Sequence, residues 1–564
     1  MPGSNDFFLQ FIRLAGPYWN SENKAVIRQQ TLFLILLTIL QIVLAVVITE
    51  WNSALFNALE NRSMSDLLTQ VGFLIIIFLA SMAVTMAHLK MKRQLQIGWR
   101  NWLTSKVLGQ WMTEGKHCQV LHIHTSDHDN PDGRIAEDIR IACDEAIGLC
   151  HTLVYSVLIL ISFTKILWTL SGTVILDLGI FETPIYGYLV WIALLYAFSA
   201  SLLGWWVGRP LTVHTNALQT AEANFRFGLV KARENSLAIA LIHGEANERS
   251  HLFGLFQEIK HVYDYQTHAW ANILLFNSGY SVISMAFPVL VTAPRFILGS
   301  ITLGALMQSV QAFQQIASAL SWPVNNIAGI AQWRASVERV LGLVKALNEL
   351  DQESSRPDPQ RIQIEKPDQA SLELQDLCIL KFNGEVVISA FNERINMGDR
   401  VLISGDAARA AKLFKAIAGI WPWGHGRIIL PDSDPMFFMP PRPYLPDGTL
   451  RTSICYPAPD SAFDSTTLEN ILRLVGMDEF IAQLDQNDSW EKALSREEQQ
   501  RLGIARLLLN RPKWILLQEA LDSLSPQDEI DMMRLICQEL PDAGILTYTN
   551  QPSVEPFHDR RLHL

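Results

Sequence analysis

The sequence predicts a helical membrane domain of six spans with long cytoplasmic helical loops, followed by an α/β soluble domain of the phosphate-loop type. Three observations predict it. Hydrophobic residues fill 49% of 564 positions and charged residues only 18%, against about 25% charged in an ordinary soluble protein. Six stretches reach the roughly 20 apolar residues that a helix needs to cross a bilayer core: 31–49, 68–88, 147–170, 185–207, 270–293 and 301–322. Beyond residue 350 the pattern turns to strands and helices, with a buried strand that ends in glycine, GDRVLISG at 398–405.

Loop charge orients the spans, because basic residues stay on the cytoplasmic side. Arg62 alone lies between the first two spans, no basic residue lies between the third and fourth, and Arg295 alone lies between the fifth and sixth. The segments 90–146 and 208–268 hold most of the lysine and arginine of this half. Both are expected to be cytoplasmic and helical, as are both termini to be cytoplasmic. The opening stretch from Phe7 to Trp19 is amphipathic and aromatic, which suits a helix lying in the interface. No leader with a small-residue cleavage site opens the sequence, so no removable signal is expected. The formal net charge of −11 argues against nucleic-acid partners, which need a basic face. Six cysteines without ligand spacing give no metal site and suit reduced thiols.

Polar groups inside a span are costly, so they point to function. Gln308, Gln311, Gln314 and Gln315 recur at helical spacing, which puts them near one face. That face suits a solvated substrate cavity; hydrogen bonding between helices is the alternative. Lys165 lies deep in the third span, where it can meet an anionic solute, pair with a carboxylate or snorkel. Glu50, Glu60, Asp177 and Glu182 lie near the outer face, either as proton acceptors or as solvated loop carboxylates. The candidate cavity set is Lys165, Gln308, Gln311 and Gln315.

The run Asn130-Pro131-Asp132-Gly133-Arg134-Ile135-Ala136-Glu137-Asp138, the stretch FRFGLVKARENSLAIALIHGE from Phe225 to Glu245, and the stretch from Ala293 to Trp322 followed by Gln332-Trp333-Arg334-Ala335 resemble one group of ABC half-transporters. That group includes the bacterial SbmA/BacA-type transporters and the peroxisomal fatty-acyl transporters. The resemblance covers nearly the whole chain. It implies an ABC exporter-like membrane domain at 1–345, a linker at 346–371 and an ABC nucleotide-binding domain at 372–564. It also puts Arg233, Glu234 and Glu245 on helices that reach the soluble domain.

Against that pattern the nucleotide site is degenerate. A phosphate loop cradles phosphates with backbone N–H groups, sends a lysine to them and holds magnesium with Ser or Thr. Here it runs Gly405-Asp406-Ala407-Ala408-Arg409-Ala410-Ala411-Lys412. The lysine position falls on Ala411 counted forward and on Ala410 counted back. Lys412 lies next to it, rotated by roughly 100–200° on a helix. Asp406 puts a negative charge where phosphate would sit. The resemblance further implies that Pro441 replaces a glutamine and Gln518 the magnesium-binding aspartate. Glu497 replaces the glycine of the signature, next to a retained Ser495. Asn550 replaces a histidine, and Ser525 ends a loop that has lost its aspartate. Glu519, at the catalytic-base position, survives.

These losses lead to the expectation of an inner-membrane transporter subunit, dimeric with itself or with a second half-transporter. Its solute is bulky and amphipathic or peptide-like, and its own ATP hydrolysis does not power it. No cofactor is assigned: ATP binds weakly at most, and magnesium is not expected. The alternatives are an ATP-driven transporter with residual activity or an active paralogue, and a membrane sensor or scaffold.

Overall fold

The computed structural model describes residues 4–113, 115–123, 130–177, 182–354, 361–367, 371–381, 383–431 and 436–564. It divides into two compact units, one of Met1–Leu108 with Asn130–Leu343 and the other of Gly109–Asp129 with Val344–Leu564.

The first unit is helical. Helix α1 (Ser4–Ala15) leads into α2 (Lys24–Glu60) and α3 (Met64–Trp111). Helix α4 (Lys116–Ile123) belongs to the second unit. Then come α5 (Pro131–Ser171), α6 (Tyr188–Glu234), α7 (Glu245–Ile297) and α8 (Leu303–Leu320). Helix α9 (Ile327–Ser354) carries the boundary between the units. A hairpin of β1 (Thr173–Asp177) and β2 (Glu182–Tyr186) joins α5 to α6.

Among the described residues five helices, α2, α3, α5, α6 and α7, are long and apolar enough to cross a membrane. They run on well past the expected spans, so that 90–111 and 208–234 are helical continuations of α3 and α6. Their outward side chains are apolar, as with Phe73 at 52%, Ile76 at 64% and Leu79 at 60% exposure, a surface that calls for lipid or a partner. The sixth expected span, 301–322, is the exception. It folds as α8, but its four glutamines leave it short of the hydropathy that the other five reach. At 18 residues it is about 27 Å long.

Helix α8 nevertheless sits at the centre of its unit. Ala312, Phe313 and Ile316 pack with Ile42 of α2, with Phe163 and Leu167 of α5 and with Leu189 and Ala193 of α6. Its start is held by α2: Glu60 Oε2 accepts from the Leu303 amide at 2.8 Å, and Asn57 Oδ1 from the Gly304 amide at 3.0 Å. These bonds satisfy amides that a helix leaves orphaned at its first turn. Gly304 is required there, since a Cβ would lie 2.2 Å from the Ser53 carbonyl. The end of α5 is closed by Arg295, whose Nη1 donates to the Leu170 carbonyl at 2.8 Å and the Ser171 carbonyl at 2.5 Å. Asp138, buried, takes both arms of the Arg339 fork at 2.7 and 2.5 Å. This bidentate pair is the physical role of the last aspartate in the NPDGRIAED run.

The second unit is α/β. Strands β3 (Ser371–Leu380) and β4 (Val386–Asn396) open it, after the short strand Gln363–Glu365. Then follow β5 (Arg400–Ser404), α10 (Ala407–Ile417), β6 (Gly424–Ile429) and β7 (Met436–Met439). The last part holds α11 (Arg496–Asn510), β8 (Trp514–Gln518), α12 (Pro526–Glu539), β9 (Gly544–Tyr548) and β10 (Arg560–His563). One sheet is wholly parallel, in the order β10-β5-β9-β8-β7. The near-continuous apolar strands VLIS, WILL and GILTY suit a sheet covered on both faces. Strands β3, β4 and β6 form the second sheet together with the short strand Gln363–Glu365, which pairs with β6. The stretch expected as a linker, 346–371, is helical as far as Ser354, and its residues 355–360 and 368–370 lie outside the described residues. Helix α4 joins this unit through the buried Lys116, which pairs with Asp351, and through Gln119 Nε2, which donates to the Gly419 carbonyl at 3.3 Å.

Gly304→Ala should force α8 off α2 and lower the unfolding free energy by about 1–3 kcal/mol. Thermal unfolding of the detergent-solubilised protein checks this, and an unchanged midpoint would refute the close contact.

Candidate functional site

The carboxyl ends of β5, β8 and β9 meet at one edge of the parallel sheet, where open α/β sheets bind their ligands. The connection from β5 to α10 is only two residues long, Gly405 and Asp406. Gly405 has φ +132°, and a Cβ there would lie 2.6 Å from the Leu564 carbonyl oxygen, so only glycine fits. Asp406 caps α10, its Oδ1 accepting from the Ala408 amide at 2.7 Å. A free helix N-terminus is a ready anion site, and here a carboxylate already sits on it. Ala410 is fully buried and Ala411 half-buried, so neither register of the loop presents a cation. Lys412 lies with its ammonium over the Trp421 ring, 5.7 Å from the centroid.

At the end of β8, Gln518 is half-buried, and Glu519 adopts a left-handed φ of +46°. Such a backbone costs a non-glycine residue about 1–2 kcal/mol. Its amide donates to the Tyr548 carbonyl at 2.7 Å, and its Oε1 accepts from Asn550 Nδ2 at 3.3 Å. Tyr548, not anticipated from the sequence, stands between the two loops. Its hydroxyl lies 3.4 Å from the Gly405 carbonyl and 3.3 Å from Asn550 Oδ1. Burial pushes its phenol above the usual range, helped by the carboxylates of Glu519, Asp406 and Asp522. The structure thus brings Gly405, Asp406, Glu519 and Asn550 together around a neutral tyrosine.

The signature residues are used locally. Ser495 caps α11 in a reciprocal box with Glu498: Glu498 donates its amide to Ser495 Oγ at 3.2 Å, and Glu498 Oε2 accepts the Ser495 amide at 2.7 Å. Glu497, at the position of the signature glycine, is not a bare charge. Its Oε1 accepts from Arg501 Nε at 3.1 Å and Nη2 at 2.9 Å, and Arg501 also reaches Asp528. Gln500, buried and also unanticipated, ties the region together. Its Nε2 donates to the Pro441 and Glu519 carbonyls, each at 3.2 Å, and its Oε1 accepts from the Ser523 amide at 2.9 Å. The QQR run carried that residue in plain view, but nothing in its spacing says which carbonyls it holds.

In the helical unit a cavity of about 820 Å³ opens between α6, α7 and α8. Trp205, Trp270, Phe276 and Tyr280 form one wall, and Gln314, Ser318, Ser321 and Asn325 line another. The second set recurs at spacings of four, three and four, one polar stripe along a helical path. Gln314 therefore faces the cavity, whereas Gln308, Gln311 and Gln315 are not among its lining residues. Gln311 Oε1 accepts from Asn52 Nδ2 at 3.2 Å, a bond between α2 and α8. Lys165 is exposed on α5 and away from the lining set. Arg233, Glu234 and Glu245 are exposed around the turn between α6 and α7.

Residues 13–297 match the family described as ABC transporter transmembrane region 2. The chain belongs to that family. With its α/β unit it is an ABC half-transporter, an integral membrane protein that fuses both domains. It is 29% identical to the inner membrane ABC transporter ATP-binding protein YddA of Escherichia coli, over 97% of this chain and 95% of that one. It is 26% identical to ABC transporter D family member 2, chloroplastic, of Arabidopsis thaliana, over 98% of this chain and 86% of that one. To the human lysosomal cobalamin transporter ABCD4 it is likewise 26% identical, over 99% and 94%. Among solved structures, a bacterial Atm1-family ABC exporter with ATP bound superposes with a TM-score of 0.70 over 96% of this chain and 94% of that one, at 16% identity. That likeness establishes the exporter fold for the half-transporter.

Gln500→Ala should strand the Ser523 amide beside two freed carbonyls and cost about 1–3 kcal/mol. Chemical denaturation, followed by the fluorescence of the buried Trp490 and Trp514, checks this; an unaltered transition would refute the stapling role.

Proposed function

We propose that this half-transporter works as a dimer in the bacterial inner membrane and moves a bulky amphipathic or peptide-like solute without power from its own ATP hydrolysis. One observation carries the energetic part: a two-residue turn whose Asp406 caps α10 at 2.7 Å. Phosphoryl transfer rests on positioning and charge neutralisation. A turn this short offers no run of amides to wrap a triphosphate, and its capping carboxylate repels one. The lysine is absent from both registers, and Lys412 is held over Trp421. Gln518 supplies no carboxylate for a magnesium ion, and Pro441 supplies no amide side chain. Each such contribution is worth about 2–4 kcal/mol in a working site, and several are missing at once.

The solute class is supported by the cavity, which pairs an aromatic wall with a polar stripe. The human relative is named for cobalamin, a bulky solute, and the Escherichia coli relative for the inner membrane. Energy then comes from an ion gradient or from the gradient of the solute itself, as the likeness to the SbmA/BacA-type transporters suggests.

The second reading, an ATP-driven transporter with residual or partner-assisted turnover, is favoured by Glu519, which keeps the catalytic-base position, and by the words ATP-binding in the name of the Escherichia coli relative.

Phosphate release by the purified protein in lipid nanodiscs separates the two. The proposal expects no vanadate-sensitive release with Mg·ATP and no difference between wild type and Glu519→Gln. Sustained release that Glu519→Gln abolishes would overturn it. In cells expressing the chain, uptake of a fluorescent amphipathic peptide across a pH step should fall on adding a protonophore. Uptake indifferent to protonophore but lost on ATP depletion would reject the gradient.

A further inference from the structure

Two histidines lie side by side inside the helical unit, and neither lines the cavity between α6, α7 and α8. His88 of α3 and His151 of α5 have ring centroids 4.3 Å apart, and His151 stacks on Tyr155 at 6.3 Å. His88 is only 8% exposed. Among the described residues, His88 Nε2 and both ring nitrogens of His151 are buried without a hydrogen-bond partner. Buried polar groups are nearly always paired, so three bare nitrogens in one place call for an explanation.

The charges around the pair are few. Lys92, one helical turn beyond His88, acts on both rings. Its ammonium lies against α5 at Gly148, where a Cβ would be 3.8 Å from Nζ. Asp144 and Glu145 of α5 and Arg93 of α3 act on Lys92 in turn. Among the described residues no carboxylate acts on the imidazoles themselves, and no third ligand joins them into a group that could hold a metal ion. Both histidines lie where the expected second and third spans meet the basic segment 90–146.

We infer that His88 and His151 together form a proton-binding site whose filling parts α3 from α5. Imidazole is the side chain that changes charge near physiological pH. Rings in contact repel strongly if both are charged, so the pair takes one proton. That proton comes from hydronium in the surrounding solution and binds a nitrogen lone pair that no protein donor occupies. The packed arrangement suits two neutral rings. An imidazolium there has no acceptor for its N–H groups and faces the Lys92 ammonium, which burial makes costly. Water entering between α3 and α5 solvates it. Protonation therefore favours the open arrangement over the packed one, and a ligand with such a preference shifts the equilibrium between the two. As the carrier of a coupling proton the pair rests on the reading of gradient-driven transport; as a proton site it rests on the geometry alone.

The test uses the full-length protein in nanodiscs and in proteoliposomes. Hydrogen–deuterium exchange of the peptides around His88 and His151 is compared at about pH 8 and about pH 5.5, on either side of the histidine range, after correction for the intrinsic rate. In the wild type acid should speed exchange at both places. The double variant of His88→Phe with His151→Phe keeps two rings in contact but has no nitrogen to titrate, and it should lose that acid response. The double variant of His88→Gln with His151→Gln, free of any added ring volume, should lose it too. Exchange at about pH 8 reports whether each variant is folded, and a merely structural pair would leave the acid response unmoved. Uptake of the fluorescent amphipathic peptide across a pH step is then measured in proteoliposomes, and it should be lost in both double variants. No acid response in the wild type, or one that both variants keep, would overturn the inference whatever the uptake shows. Variants that keep pH-driven uptake would remove the pair from coupling and leave gradient-driven transport standing. A wild type without pH-driven uptake, whose acid response the variants lose, would reject gradient-driven transport and still support the proton site.

Discussion

The first turn of a helix has amides without partners, and one anion can satisfy them. In this protein that anion is Asp406. The capping bond to Ala408 starts α10 immediately after Gly405, and so the chain between β5 and α10 has no length left in which to form a cradle. Much else at this end of the sheet follows from it. Residues that would face phosphates in an extended loop become helix residues: Ala410 packs into the core, and Lys412 leans on Trp421. At this end of the sheet protein groups bond to each other, from Gly405 through Tyr548 and Asn550 to Glu519.

The fold of this unit rests on its own packing and internal hydrogen bonds. The buried strands WILL and GILTY, the Arg506 bonds to the Ser453 and Tyr444 carbonyls at 2.6 Å each, and the Gln500 staple are independent of any nucleotide. Packing and internal hydrogen bonds hold the unit together, and no anion is needed to complete them. The helical unit follows the same rule. Its costly polar groups, Arg295, Asp138, Asn57 and Glu60, answer specific orphaned amides, carbonyls or charges.

Charge by itself proved an incomplete guide. Glu497 looks repulsive as a letter in a motif, yet one helical turn later Arg501 balances it. The glutamines of α8 look like one face, yet Gln314 opens on the cavity and Gln311 bonds Asn52 across to α2. A helix of 3.6 residues per turn spreads four glutamines over more than one neighbour, and which neighbour stands at each angle is a matter of packing.

Composition and the length of apolar runs were enough to establish a helical membrane part, since few other structures bury every backbone group in lipid. Motif order was enough to establish an ABC architecture, and the residues along the expected phosphate loop and signature were legible one by one. What the sequence alone did not decide is where those residues point. The Tyr548 bridge to Gly405 and the Gln500 staple join groups far apart in the chain. Such contacts depend on the angle at which strands and helices meet, and that angle is set only when the whole core packs.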